Sequence, residues 1–92
     1  MSDDATSWFF RTAAGAEIDL VIEQGDRLRI AIEIKRSAAP RPGKGFHHGC
    51  RDIQATHRFL VYPGRERFPL AADITAMPLV GMMEELRSLT GS

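Results

Sequence analysis

The sequence predicts an α/β domain, a small mixed β-sheet with flanking helices. Three observations predict it. Two runs of apolar/polar alternation, through Ile18, Leu20 and Ile22 and through Leu28, Ile30, Ile32 and Ile34, flank Gly25-Asp26 and read as a β-hairpin. Phe46, Cys50 and Ile53 then stand at i, i+4 and i+7, the spacing of an amphipathic helix. After that helix comes Arg58-Phe59-Leu60-Val61-Tyr62, an apolar strand stopped by Pro63-Gly64.

The elements follow in order. Trp8 to Thr12 is short and aromatic and reads as a first strand, ended by Ala13-Ala14-Gly15-Ala16. The hairpin strands cover residues 17–23 and 28–35. Ser37 to Gly45 is a loop, because Pro40, Pro42 and two glycines bar regular structure. A helix is expected from about Lys44 to Gln54, weakened by Gly45 and Gly49. Ile74 to Leu79 is expected as a short edge strand, since Pro78 lacks a donor. Leu79, Met82, Met83, Leu86 and Leu89 mark a closing helix, with the methionines as core filler. The expected order is β-β-β-α-β-(β)-α.

Length limits the function classes. The chain's 92 residues make one domain, 1–92, with 1–7 and 90–92 expected as flexible ends. No run of about 18 apolar residues offers a membrane span. The acidic start lacks the form of a signal peptide, and one cysteine gives no internal disulfide, so a cytoplasmic setting is expected. The 12 Lys+Arg and 12 Asp+Glu cancel, which on its face argues against nucleic acid. Their order says more. Residues 1–26 hold six acids and one base, 27–68 hold ten bases and three acids, and 69–92 hold three acids and one base. A basic middle can meet phosphate even when the total is zero.

The hairpin register brings chemistry together. Both apolar sets must share one face, and a slip of one residue would turn one set to solvent. A three-residue loop, Gly25-Asp26-Arg27, satisfies this. It sets Ile22 opposite Ile30, Leu20 opposite Ile32 and Ile18 opposite Ile34. On the other face it sets Asp19 opposite Glu33 and Glu17 opposite Lys35. Glu17–Lys35 is a favourable cross-strand pair, whereas opposed Asp19–Glu33 is not. A proton kept on one carboxyl, or a hard divalent cation between the two, relieves that repulsion. Mg²⁺ takes carboxylate oxygens and waters in this way. Lys35, about 6–7 Å along the strand from Glu33, completes a set that can hold a metal, polarise a phosphate and orient a water. Charged residues on a solvent face more often serve solubility alone.

Asp19, thirteen residues, then Glu33-Ile34-Lys35 resembles the PD-(D/E)XK signature of restriction-endonuclease-like nucleases. That resemblance implies Asp19 and Glu33 as Mg²⁺ ligands, with Lys35 serving the attacking water or the phosphate. Glu17 is a further catalytic candidate, either behind the metal ligands or as an alternative ligand. Four blocks, Phe9–Glu23, Ile32–Pro40, Gly43–Ile53 and Phe59–Gly64, resemble the C-terminal domain of unknown function behind AAA+-type ATPase modules of bacteria and archaea. The resemblance implies a restriction-endonuclease-like fold and an ATPase domain of the parent protein as partner. The chain departs from the pattern in three places. Seven residues before Trp8 are too few for the superfamily's first core helix, Ile18 stands where it carries proline, and no phosphate-binding loop G-x-x-x-x-G-K-[ST] is present. A missing helix leaves apolar sheet surface for Trp8, Phe9 or a second subunit to cover, so a homodimer is expected.

The remaining candidates are plainer. Arg36, Arg41, Lys44 and Arg51 follow Lys35 and are candidates for nucleic-acid contact, or for solubility. His47 and His48 point about 100° apart and do not share a metal. His57 has no evident partner, and Cys50 reads as a small core residue. Three function classes follow: a Mg²⁺-dependent nucleic-acid phosphodiesterase, a nuclease-fold module that binds without cleaving, and an oligomerisation domain.

Overall fold

The computed structural model describes residues 5–71 and 73–91. Its elements are β1 (Ala5–Arg11), β2 (Glu17–Gln24), β3 (Leu28–Ile34), α1 (Lys44–Asp52), β4 (His57–Val61), β5 (Phe68–Ala71), β6 (Ile74–Met77) and α2 (Leu79–Thr90). Six strands form one mixed sheet in the order β1-β2-β3-β4-β6-β5. The first three make an antiparallel meander. The crossover through α1 makes β4 parallel to β3, and β6 runs parallel to β4. Ala5–Ser7, expected in a flexible end, belong to β1, and Thr90 is buried in α2. Residues 1–4 and 92 lie outside the described residues. No helix among the described residues is long and apolar enough to cross a membrane.

The hairpin pairs as its alternation predicts near the turn. Leu20 faces Ile32, Ile22 faces Ile30 and Gln24 faces Leu28, and Gly25 takes φ +60° in the loop. The register further down is different. β1 pairs Trp8 with Val21 but Phe10 with Ile18, so β2 holds an extra residue around Asp19–Leu20. That is a β-bulge, which flips the alternation and re-aims the side chains beyond it. Ile18 therefore joins Val21 and Ala31 on the α1 face instead of meeting Ile34, which is left 55 % exposed.

The hairpin strands are also covered on both faces rather than one. On the α1 side, Ile18, Val21, Ala31, Leu60 and Ala76 pack against Phe46 and Cys50. On the other side, Ile22, Ile30, Ile32, Phe59 and Val61 pack against Met77 and Met82. Leu86 and Leu89 complete the inward stripe of α2, while Leu79 and Met83, expected in that stripe, lie outward. β5 escapes a reading from propensity because it contains Pro69, a residue confined to positions such as this sheet edge. β5 is the edge strand, and Ile74–Met77 lies inside it. Pro78 stands outside β6 as the N-cap of α2.

The two glycines of α1 allow close approach more than they weaken the helix. A Cβ at Gly49 would lie 2.8 Å from Ile18 Cγ1, and one at Gly45 would run into the Gly15 carbonyl oxygen. Both therefore let α1 lie directly on β2. The helix ends with Gln54 N–H donating to Arg51 and Ala55 N–H to Cys50, a Schellman arrangement. Its left-handed position is held by Gln54 at φ 56° rather than by glycine. Gln54→Gly is expected to raise the unfolding free energy by about 1 kcal/mol, seen as a higher urea midpoint at unchanged slope.

Candidate metal-binding cleft

Three pieces of chain meet at the end of β3. The bulged strand β2 brings Asp19, β3 ends at Glu33 and Ile34 and runs on to Lys35, and the chain returns at Gly43 to begin α1. Between them lies a polar cleft of about 330 Å³, lined by Glu17, Asp19, Glu33, Lys35 and the backbone near Gly15, Gly43 and Gly45, with Phe46 as its apolar floor. A larger shallow hollow of about 530 Å³ beside the hairpin turn gathers no comparable donor set.

Glu33 is the most buried acid of the cleft, its side chain 12 % exposed. Its Oε1 sits 3.0 Å from Lys35 Nζ. The Gly43 N–H, at the start of α1, donates weakly to both carboxylate oxygens at 3.3 and 3.4 Å. Asp19 Oδ2 accepts from the Ile34 N–H at 2.8 Å. The expected clash of opposed carboxylates is therefore relieved within the protein, by an ammonium on one and a backbone N–H on the other. The ladder stops at Leu20–Ile32, so Asp19 turns onto the Ile34 amide instead of meeting Glu33 as a strand pair.

Glu17 takes a different partner from the expected one. It pairs with Arg11 at 3.0 Å across β1–β2, leaving Lys35 to Glu33. Both members of the Arg11–Glu17 pair are mostly exposed, and such pairs contribute little.

Among the described residues, no three His, Cys, Asp or Glu side chains gather closely enough to hold a metal ion. The donor set is two carboxylates. A set of two fits Mg²⁺, which keeps several waters and binds through one or two carboxylates.

The basic candidates lie outside the cleft. Arg36, Arg41, Lys44 and Arg51 are exposed. Lys44 opens α1 and Arg51 lies in its last turn, on a helix that also bears His47 and His48. Arg51 Nη2 meets His48 Nδ1 at 2.9 Å.

His57 does have partners: it bonds the Thr56 hydroxyl at 3.0 Å and stacks on Phe59. Cys50 is fully buried. Burial pushes its thiol up to about 11 from 9.0, with Arg58 opposing and Glu33 adding to the shift. A protonated buried thiol is no nucleophile. Iodoacetamide at mildly alkaline pH is expected to spare the folded chain and label it in denaturant. The unfolded chain loses this proton first as pH rises. The thiol's contribution to stability is therefore full below about pH 9 and falls away toward about pH 11.

Sequence reasoning missed the glycines and Arg58. Gly43-Lys44-Gly45 is too short for a phosphate loop, yet its two glycines line one side of the cleft. Arg58 is half-buried between two small hollows that both include Asp73, one of them with His47. The signal available was a charged residue opening an otherwise apolar strand.

A family model described as a domain of unknown function, DUF4143, matches residues 2–81. Two relatives, each named an uncharacterized protein, come from Mycobacterium bovis and Mycobacterium tuberculosis. Each is 33 % identical over 87 residues, covering 89 % of this chain and 20 % of the relative. The chain thus spans a fifth of the length of these relatives. No solved structure matches.

Proposed function

The chain belongs to the DUF4143 family, and for this member we propose a restriction-endonuclease-like module, a Mg²⁺-dependent phosphodiesterase acting on nucleic acid. One observation carries the reading: Asp19, Glu33 and Lys35 converge on a single polar cleft, beside a β-bulge of the kind that re-aims side chains at active sites. The antiparallel meander followed by a parallel crossover supports it, because this order delivers the hairpin carboxylates to the start of α1.

In this reading Asp19 and Glu33 hold the metal. A bound Mg²⁺ supplies positive charge for a phosphate oxygen and makes a coordinated water more acidic. Lys35 orients the phosphate or the water from the same side. Arg36, Arg41, Lys44 and Arg51 lie on the loop and helix next to the cleft, where an exposed cation meets a phosphate backbone. From its resemblance to ATPase-associated domains we read the module as the terminal part of a longer cytoplasmic protein. That the chain spans a fifth of the mycobacterial relatives supports the longer protein.

A second reading is a nuclease-fold module that binds nucleic acid or protein, or dimerises, without cleaving. Two observations favour it: the carboxylates are already satisfied internally, and Phe9 and Ile34 stand 71 % and 55 % exposed.

Nicking of supercoiled plasmid DNA separates the two. Nicking with Mg²⁺ or Mn²⁺ that EDTA and Glu33→Gln abolish supports the phosphodiesterase. Salt-dependent DNA retention with no nicking supports the binding module, and the absence of both rejects a nucleic-acid role.

A further inference from the structure

We infer that Lys35 is a built-in counter-cation of the cleft, which a divalent metal ion displaces from Glu33 on binding. This inference rests on the metal reading of the cleft. The Lys35 ammonium sits 3.0 Å from Glu33 Oε1, and the Gly43 N–H donates weakly to both oxygens of the same carboxylate. A Mg²⁺ ligated by that carboxylate needs one of its oxygens at about 2.0–2.1 Å. An ammonium and a dication cannot share so small a space on one carboxylate without strong repulsion.

The two acids differ in this respect. Asp19 is held by a neutral backbone donor, the Ile34 N–H, which orients it and adds no competing positive charge. Glu33 is held by a charge that must leave. Lys35 can leave: its side chain is 34 % exposed and its four-carbon stem is flexible. Once freed, the ammonium stays tethered two residues past Glu33, in the lining of the cleft, within reach of a phosphate that a metal there would draw in. Loading the metal and arming the lysine for phosphate are then a single event. The metal-free cleft is meanwhile neutralised from within.

The consequence has a distinctive sign. Removing the lysine's charge tightens metal binding while weakening phosphate binding, whereas removing a ligand weakens both. Isothermal titration of Mn²⁺ into wild type, Lys35→Met and Lys35→Gln tests it. Lys35→Gln keeps a hydrogen-bond donor for Glu33 and guards against loss of fold in the methionine variant. Both neutral variants are expected to bind Mn²⁺ about tenfold more tightly than wild type. In wild type, the Lys35 Cε resonance is expected to move as Mg²⁺ is added, reporting departure from Glu33. Wild-type binding with unchanged or weaker Mn²⁺ affinity in both variants, or a Lys35 resonance that stays still, overturns the displacement and leaves the metal site standing. No Mn²⁺ binding by any of the three overturns both.

Discussion

Gly45→Ala is expected to lower the unfolding free energy by about 1–3 kcal/mol, the range for forcing an extra carbon into packed structure. The sign is the informative part. In an exposed helix the same change gains about 1 kcal/mol, because alanine is the better helix former. Here the new Cβ meets backbone rather than a yielding side chain: the Gly15 carbonyl oxygen blocks it, and Glu17 N lies 3.4 Å away. Relief requires α1 to lift from the start of β2, which opens the wall of the cleft between Gly43 and Glu17. For a domain of this size each kcal/mol is worth about 4–8 °C of Tm. Circular dichroism should therefore record a clear drop in Tm, and an unchanged or higher Tm refutes the close approach of α1.

Asp19→Asn and Glu33→Gln are each expected to weaken Mn²⁺ binding by at least about tenfold while leaving the fold intact, since each removes one of two anionic ligands. The amides match the carboxylates in shape. In Asp19→Asn the amide oxygen can still accept from the Ile34 N–H, and in Glu33→Gln it can still accept from the Gly43 N–H. Asp19→Asn removes charge without disturbing Lys35. Glu33→Gln also deprives Lys35 of its partner, so it is the variant expected to lose slightly more stability. Parallel losses of metal affinity with small changes in Tm separate a ligand role from a structural one. A large fall in Tm with unchanged affinity would assign these residues to the scaffold instead.

The hairpin is legible in the sequence because period-two alternation and a glycine-containing turn fix which residues share a face. Its register from Leu20–Ile32 to Gln24–Leu28 follows from that alone. Alternation is blind to an inserted residue. The bulge at Asp19–Leu20 becomes visible only when β1 pairs beside β2, and it sends Ile18 to the opposite face from Leu20. The same blindness misassigned the ion pairs. Cross-strand geometry offers Lys35 to Glu17, but Arg11 on β1 claims Glu17 first. Burial of Val21 and Ala31 was hidden for another reason. A strand covered on both faces has no polar side, and small or branched residues among charged ones do not announce a helix above them. β5 was hidden by Pro69, which lowers strand propensity at a place where the sheet edge tolerates it. The members of the cleft were legible as residue types at a spacing. Their distances were not, because α1 returns to Glu33 through a loop whose path no periodicity describes.

Titration of Mg²⁺ into the isotopically labelled chain, followed residue by residue in amide NMR spectra, tests the metal cleft most directly. Saturable shifts at millimolar Mg²⁺, confined to residues 17–20, 33–35 and 43–46 and lost in Asp19→Asn, are the expected result. Spectra that stay unchanged over those residues would contradict the site.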